Sequence, residues 1–517
     1  MTQLPTADSG APESISPGSY KWLAFSAVGV SFVTMVMSMS MVFVALSAIA
    51  DDFGITLRSV TWVVIAQALT ISALILPMGR LADIIGWRKV HLMGLALFAA
   101  GATLTAFAPT FSLLIAARVV MATGNAMGQS VGTAMVVAVF PPSERGMAIG
   151  SQTTAVAIGG ASGPILAGFV LQVLPWEALF LILLVPVGIA FVAGYFILTE
   201  RRLNQFRGED RPPFDWGGAV LSALAIILTV LVINNPLAVA WLSPQIFGGL
   251  AAVVLLFGAF IAWELRSNSP MFDLRLFRDS VFRLAIITRF LGFMGTTATR
   301  FLMPIYLISL RGLEEGAAGV VLFLISFGMG VAAQASGQLS DRFGSRPFAV
   351  GGFVIVVATS LPIAFFTIGT PMPWVMAVLF GNGFGMGLWN VPNNSVIMGS
   401  VPVSKLGVVG AFTNLTRNVG NVTGQALASG IVVAVMAARG FDIPLSEIAS
   451  SAGASAAFID GWRIAYVLVV NFSMAGLLLA ARTNPSFERE LAAEAQPADR
   501  AETPADAEVE AEVAAGV

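Results

Sequence analysis

Fourteen stretches of the chain stay apolar for about 20 residues or more, the length a helix needs to cross a hydrocarbon core of roughly 30 Å. They fall at 22–48, 60–79, 90–109, 111–137, 146–171, 178–198, 217–235, 245–264, 284–309, 316–337, 348–368, 373–397, 406–437 and 462–481. Apolar residues occupy most faces of each stretch, not a single stripe at helical spacing. The expected elements are therefore helices packed against lipid and one another. Polar connections between them are mostly short, so the pattern predicts an all-α polytopic membrane protein with fourteen transmembrane helices. The opening MTQLPTADSGAPESISPGS has no basic region ahead of the first span and no small-residue cleavage site, which predicts a retained first span behind a disordered tail. The closing Ala/Glu/Pro-rich segment is too polar to bury a core and is expected to be disordered.

Composition sharpens this picture by exclusion. Apolar side chains make up 57% of the 517 residues and charged ones 11%, whereas soluble domains carry about a quarter charged. With no cysteine and one histidine, His91, there is no thiolate or multi-histidine metal site to build. No paired carboxylates or Ser/His/Asp set lies within the spans and no Walker-type loop is visible, so neither an enzyme nor ATP-driven pumping is expected. No cofactor and no nucleic acid is called for. The net charge of −2 conceals an acidic tail: the last thirty residues carry nine acids, and without both tails the body is about +7. Nineteen basic residues fall on the side of the N-terminus and four (Arg58, Arg311, Arg439, Arg463) on the other, which predicts a cell-membrane protein with both termini cytoplasmic. His91 falls in a cytoplasmic loop on this reading.

Two of the cytoplasmic turns match. GRLADIIGWRK (79–89) and GQLSDRFGSRP (337–347) share the pattern G-x-L-[A/S]-D-x-x-G-x-R, 258 positions apart. The repeat predicts two homologous six-helix halves with two helices inserted between them. The boundaries are a tail at 1–20, a first half at 21–200, inserted helices at 201–283, a second half at 284–482 and an acidic tail at 483–517. Repeated halves around a central cavity are a secondary-transporter architecture. In each turn the glycines (Gly79, Gly86; Gly337, Gly344) permit tight turning and close approach. Asp83 and Asp341 can face a helix N-terminus, and together with Arg88 and Arg346 they are expected to latch one half against the other.

With these residues in hand, the chain resembles the major facilitator superfamily and, within it, the fourteen-span drug:proton antiporter group. The two turns match that family's loop signature. LLIAARVVMATG around Arg118 is similar to its span-4 signature, with Met121 and Ala122 where Gln and Gly are usual. GGASGPILAG (159–168) is similar to the antiporter phrase G-x-x-x-G-P, in which Gly159 and Gly163 allow close helix packing and Pro164 a bend. FPPSERGMAIG (140–150), FDWGG (214–218), WELRSNSPMFDLRLF (263–277) and MPIYL (303–307) resemble recurrent phrases of the group. The resemblance implies a major facilitator fold, a small-molecule substrate, protons as a candidate coupling ion, and a monomer in the bilayer.

The pattern departs from the group at its usual span-1 carboxylate, where Ser38 stands, and Gln67 stands where Tyr is frequent. No Asp or Glu falls in mid-span. Arginines do: Arg118, Arg289, Arg300 and Arg417, each costing at least about 2.5–3.5 kcal/mol to insert at the bilayer centre. Arg289 lies near the cytoplasmic end, where it can snorkel. Arg300 and Arg417, with Arg118, Asn414, Asn418, Asn421, Asn390, Gln67 and Ser38, form the candidate substrate cavity, its apolar side drawn from span-1 methionines (Met35, Met37, Met39, Met41) and Trp389. The leading expectation is a secondary transporter exporting hydrophobic or amphipathic small molecules by alternating access. The alternative is an anion or metabolite exchanger, or a uniporter, with an arginine-lined cavity and no central proton-carrying carboxylate.

Overall fold

The computed structural model describes residues 17–55, 57–60, 62–199, 213–235, 239, 243–402, 405–441 and 453–483. Most of both expected tails and the basic run at Arg201, Arg202, Arg207 and Arg211 lie outside these residues. All the regular elements described are helical. Fourteen are long: α1 (Pro17–Asp52), α2 (Trp62–Ile85), α3 (Trp87–Ala106), α4 (Phe111–Val139), α5 (Arg145–Val173), α6 (Glu177–Ile197, interrupted at Leu183), α7 (Trp216–Asn234), α8 (Pro244–Arg266), α9 (Ser280–Ile305), α10 (Glu315–Phe343), α11 (Ser345–Ala364), α12 (Met372–Gly399), α13 (Leu406–Ala438) and α14 (Ala454–Ala481). Thirteen of them are long and apolar enough by composition alone to cross a membrane. The other, α12, carries four asparagines and is nonetheless 28 residues long and packed against α10, α11 and α9.

Local chemistry sets several helix starts. Thr110, Asp215, Ser243 and Asp279 each accept a backbone N–H of the helix they precede, and Pro244 follows Ser243 at the first helical position. The matched turns are sharper than a polar loop. Gly86 and Gly344 take φ of 117° and 84°, and α3 and α11 begin at the next residue. His91 is consequently inside α3 and fully buried, not in a loop. Such a backbone favours glycine, so Gly344→Ala should cost about 1–2 kcal/mol. A lower thermal unfolding midpoint for Gly344→Ala, with no lowering for an alanine at the exposed Gly188 inside α6, is the expected result in purified protein.

Hydrophobic packing shows how the helices are grouped. At the end bearing the two turns one cluster runs through both sets of six helices, including Ile75, Val131 and Ala148 together with Ala333, Val391 and Val409. At the other end the packing divides. One cluster lies wholly within 35–190 (Met35, Leu95, Phe180), another wholly within 298–469 (Tyr306, Leu379, Trp462). The first six and last six helices therefore join at the turn-bearing end and pack separately at the opposite one. Of the inserted pair, α7 packs on α2 and α13, and α8 packs mainly on α7.

Candidate functional site

The joined end is held by two symmetric contacts built from the repeated turn. Asp341, at the end of α10, accepts the first-turn amides of α5: Oδ1 from Gly146 N at 2.8 Å and Oδ2 from Met147 N at 2.9 Å. Asp83, at the end of α2, does the same for α13, accepting Val408 N at 3.1 Å, while Trp87 Nε1 donates to its other oxygen at 2.9 Å. Each carboxylate thus sits on the positive end of a helix from the opposite half. Close approach depends on glycine: a Cβ on Gly79 would lie 2.5 Å from Ala411 Cβ, one on Gly146 would lie 2.5 Å from Asp341 Oδ1, and one on Gly337 would strike the Gly146 carbonyl.

The arginines of the turns act differently from the expectation that they latch the halves. Arg88 donates to Tyr195 O at 2.7 Å near the end of α6, and Arg346 donates to Ala481 O at 2.6 Å at the end of α14. Each holds the negative end of the last helix of its own half. The physical reason is geometric: Asp and Arg are five residues apart across a turn, so they leave in different directions.

Between the halves lies a polar centre. Arg417 Nη2 donates to Gln129 Oε1 at 2.8 Å and Asn414 Nδ2 to the Gln129 carbonyl at 3.0 Å, so α13 grips α4 across the half-to-half boundary. Gln129 Nε2 in turn donates to Asn125 Oδ1 at 2.7 Å. Arg289 neither snorkels nor reaches solvent; it is 3% exposed and donates to Thr413 O at 3.0 Å and Asn390 Oδ1 at 2.9 Å. Asn421 accepts from Thr297, and Asn418 is half-buried beside Arg417 in sequence. Arg300 is the exception. It is exposed although it lies far inside α9, and its only described partners are thioethers, Met329 Sδ at 3.3 Å and Met386 Sδ at 3.6 Å. Arg417 is near enough to both Arg300 and Arg289 to feel their charge. The centre is rich in cations and donors, with one guanidinium free to take a ligand.

Other candidates are placed elsewhere. Arg118 is fully buried in the first half, donating to Gln67 and lying 5.4 Å from the Phe180 ring centroid, so this pair does not open on the centre. Ser38 is buried with its hydroxyl on the Met35 carbonyl of its own helix at 2.8 Å. Met35, Met37 and Met41 fill the core of the first half, and Trp389 stacks on Phe353 at 4.9 Å. Asn382 ties α12 to Thr359 and Ser360 of α11. Gly159 and Gly163 let α5 press onto α1: a Cβ on Gly163 would lie 2.8 Å from the Met37 carbonyl, while Pro164 sits within an unbroken helix. Gln129 and Asn125 were not singled out in the sequence, although a polar pair at i, i+4 inside an apolar span is the same signal that marked the arginines. A groove of about 510 Å³, almost wholly apolar, runs beside Trp22, Phe25, Val33, Met37 and Ile158 between α1, α5, α6 and α10.

Fourteen apolar helices, two halves joined at one end and a polar centre between them define a multi-pass membrane transporter. The chain belongs to the major facilitator superfamily, whose profile matches residues 28–425. Riboflavin transporter RibZ of Clostridioides difficile (strain 630) is 28% identical over 410 residues, 79% of this chain and 88% of that protein. Multidrug efflux pump LfrA of Mycolicibacterium smegmatis is 27% identical over 459 residues, 89% of this chain and 90% of the pump. Among solved structures, the human organic anion transporter MFSD10 (TETRAN) superposes with a TM-score of 0.65 at 15% identity, covering 89% of this chain and 99% of that one, a likeness of fold.

Proposed function

We propose that this protein exports hydrophobic or amphipathic small molecules by alternating access, the halves 21–200 and 284–482 rocking about the polar centre. The observation that carries the reading is the asymmetry of the core: one shared cluster with two Asp latches at the turn-bearing end, two separate clusters at the other. With the turns cytoplasmic, as the basic residues argue, this is an outward-open conformation. The apolar groove supports a lipophilic substrate, and the likeness to multidrug-resistance relatives supports efflux.

Arg300 favours a second reading of the substrate, an organic anion moved by exchange or uniport. A guanidinium far inside a span, with thioethers as its only described hydrogen-bond partners, keeps its donors available to an anionic acceptor. No described helix places a carboxylate beside it to carry a proton or recognise a cation. The test is dye efflux from proteoliposomes, comparing a lipophilic cation with an amphipathic anion, each with and without an imposed pH gradient. Anion movement that persists without the gradient is expected on the arginine reading. Cation movement that collapses with the gradient would instead assign the protein to drug:proton antiport, and movement of neither dye would refute export of this class.

A further inference from the structure

Two phrases of the sequence, FDWGG (214–218) and WELRSNSPMFDLRLF (263–277), take no part in the latches or the polar centre. The fold brings them together where the inserted helices meet the body. Asp215 caps α7, its Oδ1 accepting from Gly218 N and from Trp263 Nε1, both at 2.9 Å. Glu264, in the last turn of α8, accepts Phe272 N through Oε2 at 3.3 Å. Both residues are more than nine-tenths buried, and Asp215 Oδ2 and Glu264 Oε1 have no hydrogen-bond partner among the described residues. These two oxygens face the same spot: a Cβ on Gly218 would lie 2.6 Å from Glu264 Oε1 and 2.9 Å from Asp215 Oδ2.

Arg266 and Arg275 lie on the same segment as Glu264, but the cation that acts on Glu264 comes from α2. Arg80, on α2, is close enough to act on Glu264, and its Nε is also buried without a partner. Asp273 in the following loop is occupied by Lys405 at the head of α13, at 2.7 Å. Arg80 is one of several positions at which the two matched turns differ; its counterpart is Gln338. Only the first turn faces the inserted helices, so a cation is present where two carboxylates need one. One guanidinium balances one negative charge, and the second carboxylate is left over. Two buried carboxylates that face one spot raise the cost of ionising both, and a shared proton would also satisfy the two orphan oxygens.

We propose that Asp215 and Glu264 form a proton-binding site, holding one proton between Asp215 Oδ2 and Glu264 Oε1 and presenting a single negative charge to Arg80. Release of the proton sets two like charges against each other and loosens the docking of α7 on α2 and α13, the helices joined by the Asp83 latch. The site responds to protons at a latch, away from the polar centre, and does not depend on which substrate is carried.

The sign follows from linkage: the folded protein holds a proton that the separated carboxyls of the unfolded chain give up. The contribution to stability is therefore present at low pH and lost as pH rises and the proton leaves. Full-length protein in nanodiscs is unfolded thermally at intervals from about pH 4.5, the ordinary carboxyl range, to about pH 8, wild type against Glu264→Gln and Asp215→Asn, both of which mimic the protonated partner. The wild-type midpoint should fall across this range, and the fall should flatten in either variant, with the variant above wild type at the alkaline end. Parallel profiles, or a variant lowered equally at every pH, would overturn the proposal. Infrared spectra give a second readout: a protonated-carboxyl band lost from wild type on raising the pH and missing from Glu264→Gln supports the site, and its absence from wild type throughout refutes it.

Discussion

Asp341→Asn should open the turn-bearing end of the protein. The asparagine keeps the shape and one acceptor but turns an NH₂ toward an amide that now donates to Asp341 at 2.8 or 2.9 Å, and it removes the charge from the start of α5. A charged hydrogen bond contributes about 1.5–3 kcal/mol and a carboxylate at a helix N-terminus about 0.3–1 kcal/mol, so a loss of roughly 2 kcal/mol shifts the closed-to-open ratio about thirtyfold. The chain has no cysteine, which makes the measurement clean: Ser340→Cys is a near-isosteric change at a buried position beside Gly146. In a wild-type background this thiol should resist a membrane-impermeant maleimide, and in the Asp341→Asn background it should label at least tenfold faster. Asp83→Asn should act in the same direction through α13, and the double variant should exceed either alone. Asp51→Asn, at the exposed far end of α1, should change nothing. Unaltered labelling in both latch variants would remove the Asp contacts from the gating mechanism.

Arg300 and Arg289 should separate transport from stability. Arg300 is exposed and spends no hydrogen bond on an oxygen, so Arg300→Gln should leave the unfolding midpoint unchanged, or raise it slightly by relieving repulsion with Arg417. An amphipathic anion that pairs with this guanidinium should lose about 1.5–3 kcal/mol of binding, a drop of roughly ten- to a hundredfold in transport at low substrate. Arg300→Lys should retain part of it, because the charge stays while the two-pronged geometry goes. Arg289 is buried on Asn390 and Thr413. Arg289→Gln should therefore cost stability, by about 1–3 kcal/mol from stranded buried acceptors, and lower the midpoint. Anion transport that survives Arg300→Gln would show that this guanidinium does not hold the anion and would leave the efflux reading intact.

How much of this was visible in the sequence varies by residue. The fourteen helices follow from hydrophobic length, and the largest boundary difference is at α14, which starts at Ala454 where 462 was expected. The reason is Asp460, which looks like a loop residue yet is held inside the helix by Arg439 and by Arg463 at 3.6 Å. The repeated turn was legible because its glycines and aspartates recur at fixed spacing, and Asp83 and Asp341 do meet helix N-termini as their chemistry suggests. Arg88 and Arg346 share the spacing but turn to their own half. Mid-span polarity marked Arg300, Arg417 and Asn414 and missed Gln129, while Ser38 and Arg118 carried the same mark and lie buried away from the centre.

By itself the sequence determined how many helices there are, where most of them begin and which turns are special, because hydrophobic length, capping and glycine backbone freedom are local properties. Only the tertiary structure decided that Arg300 is open while Arg289 is spent, that Gln129 joins the halves, that one end is closed, and that Asp215 and Glu264 face the same spot beside Gly218. A helix surrounded by lipid on one side and apolar neighbours on the other carries no hydrophobic stripe to say which face looks inward. Its rotation, and hence the fate of each polar side chain, is set by packing against residues more than a hundred positions away.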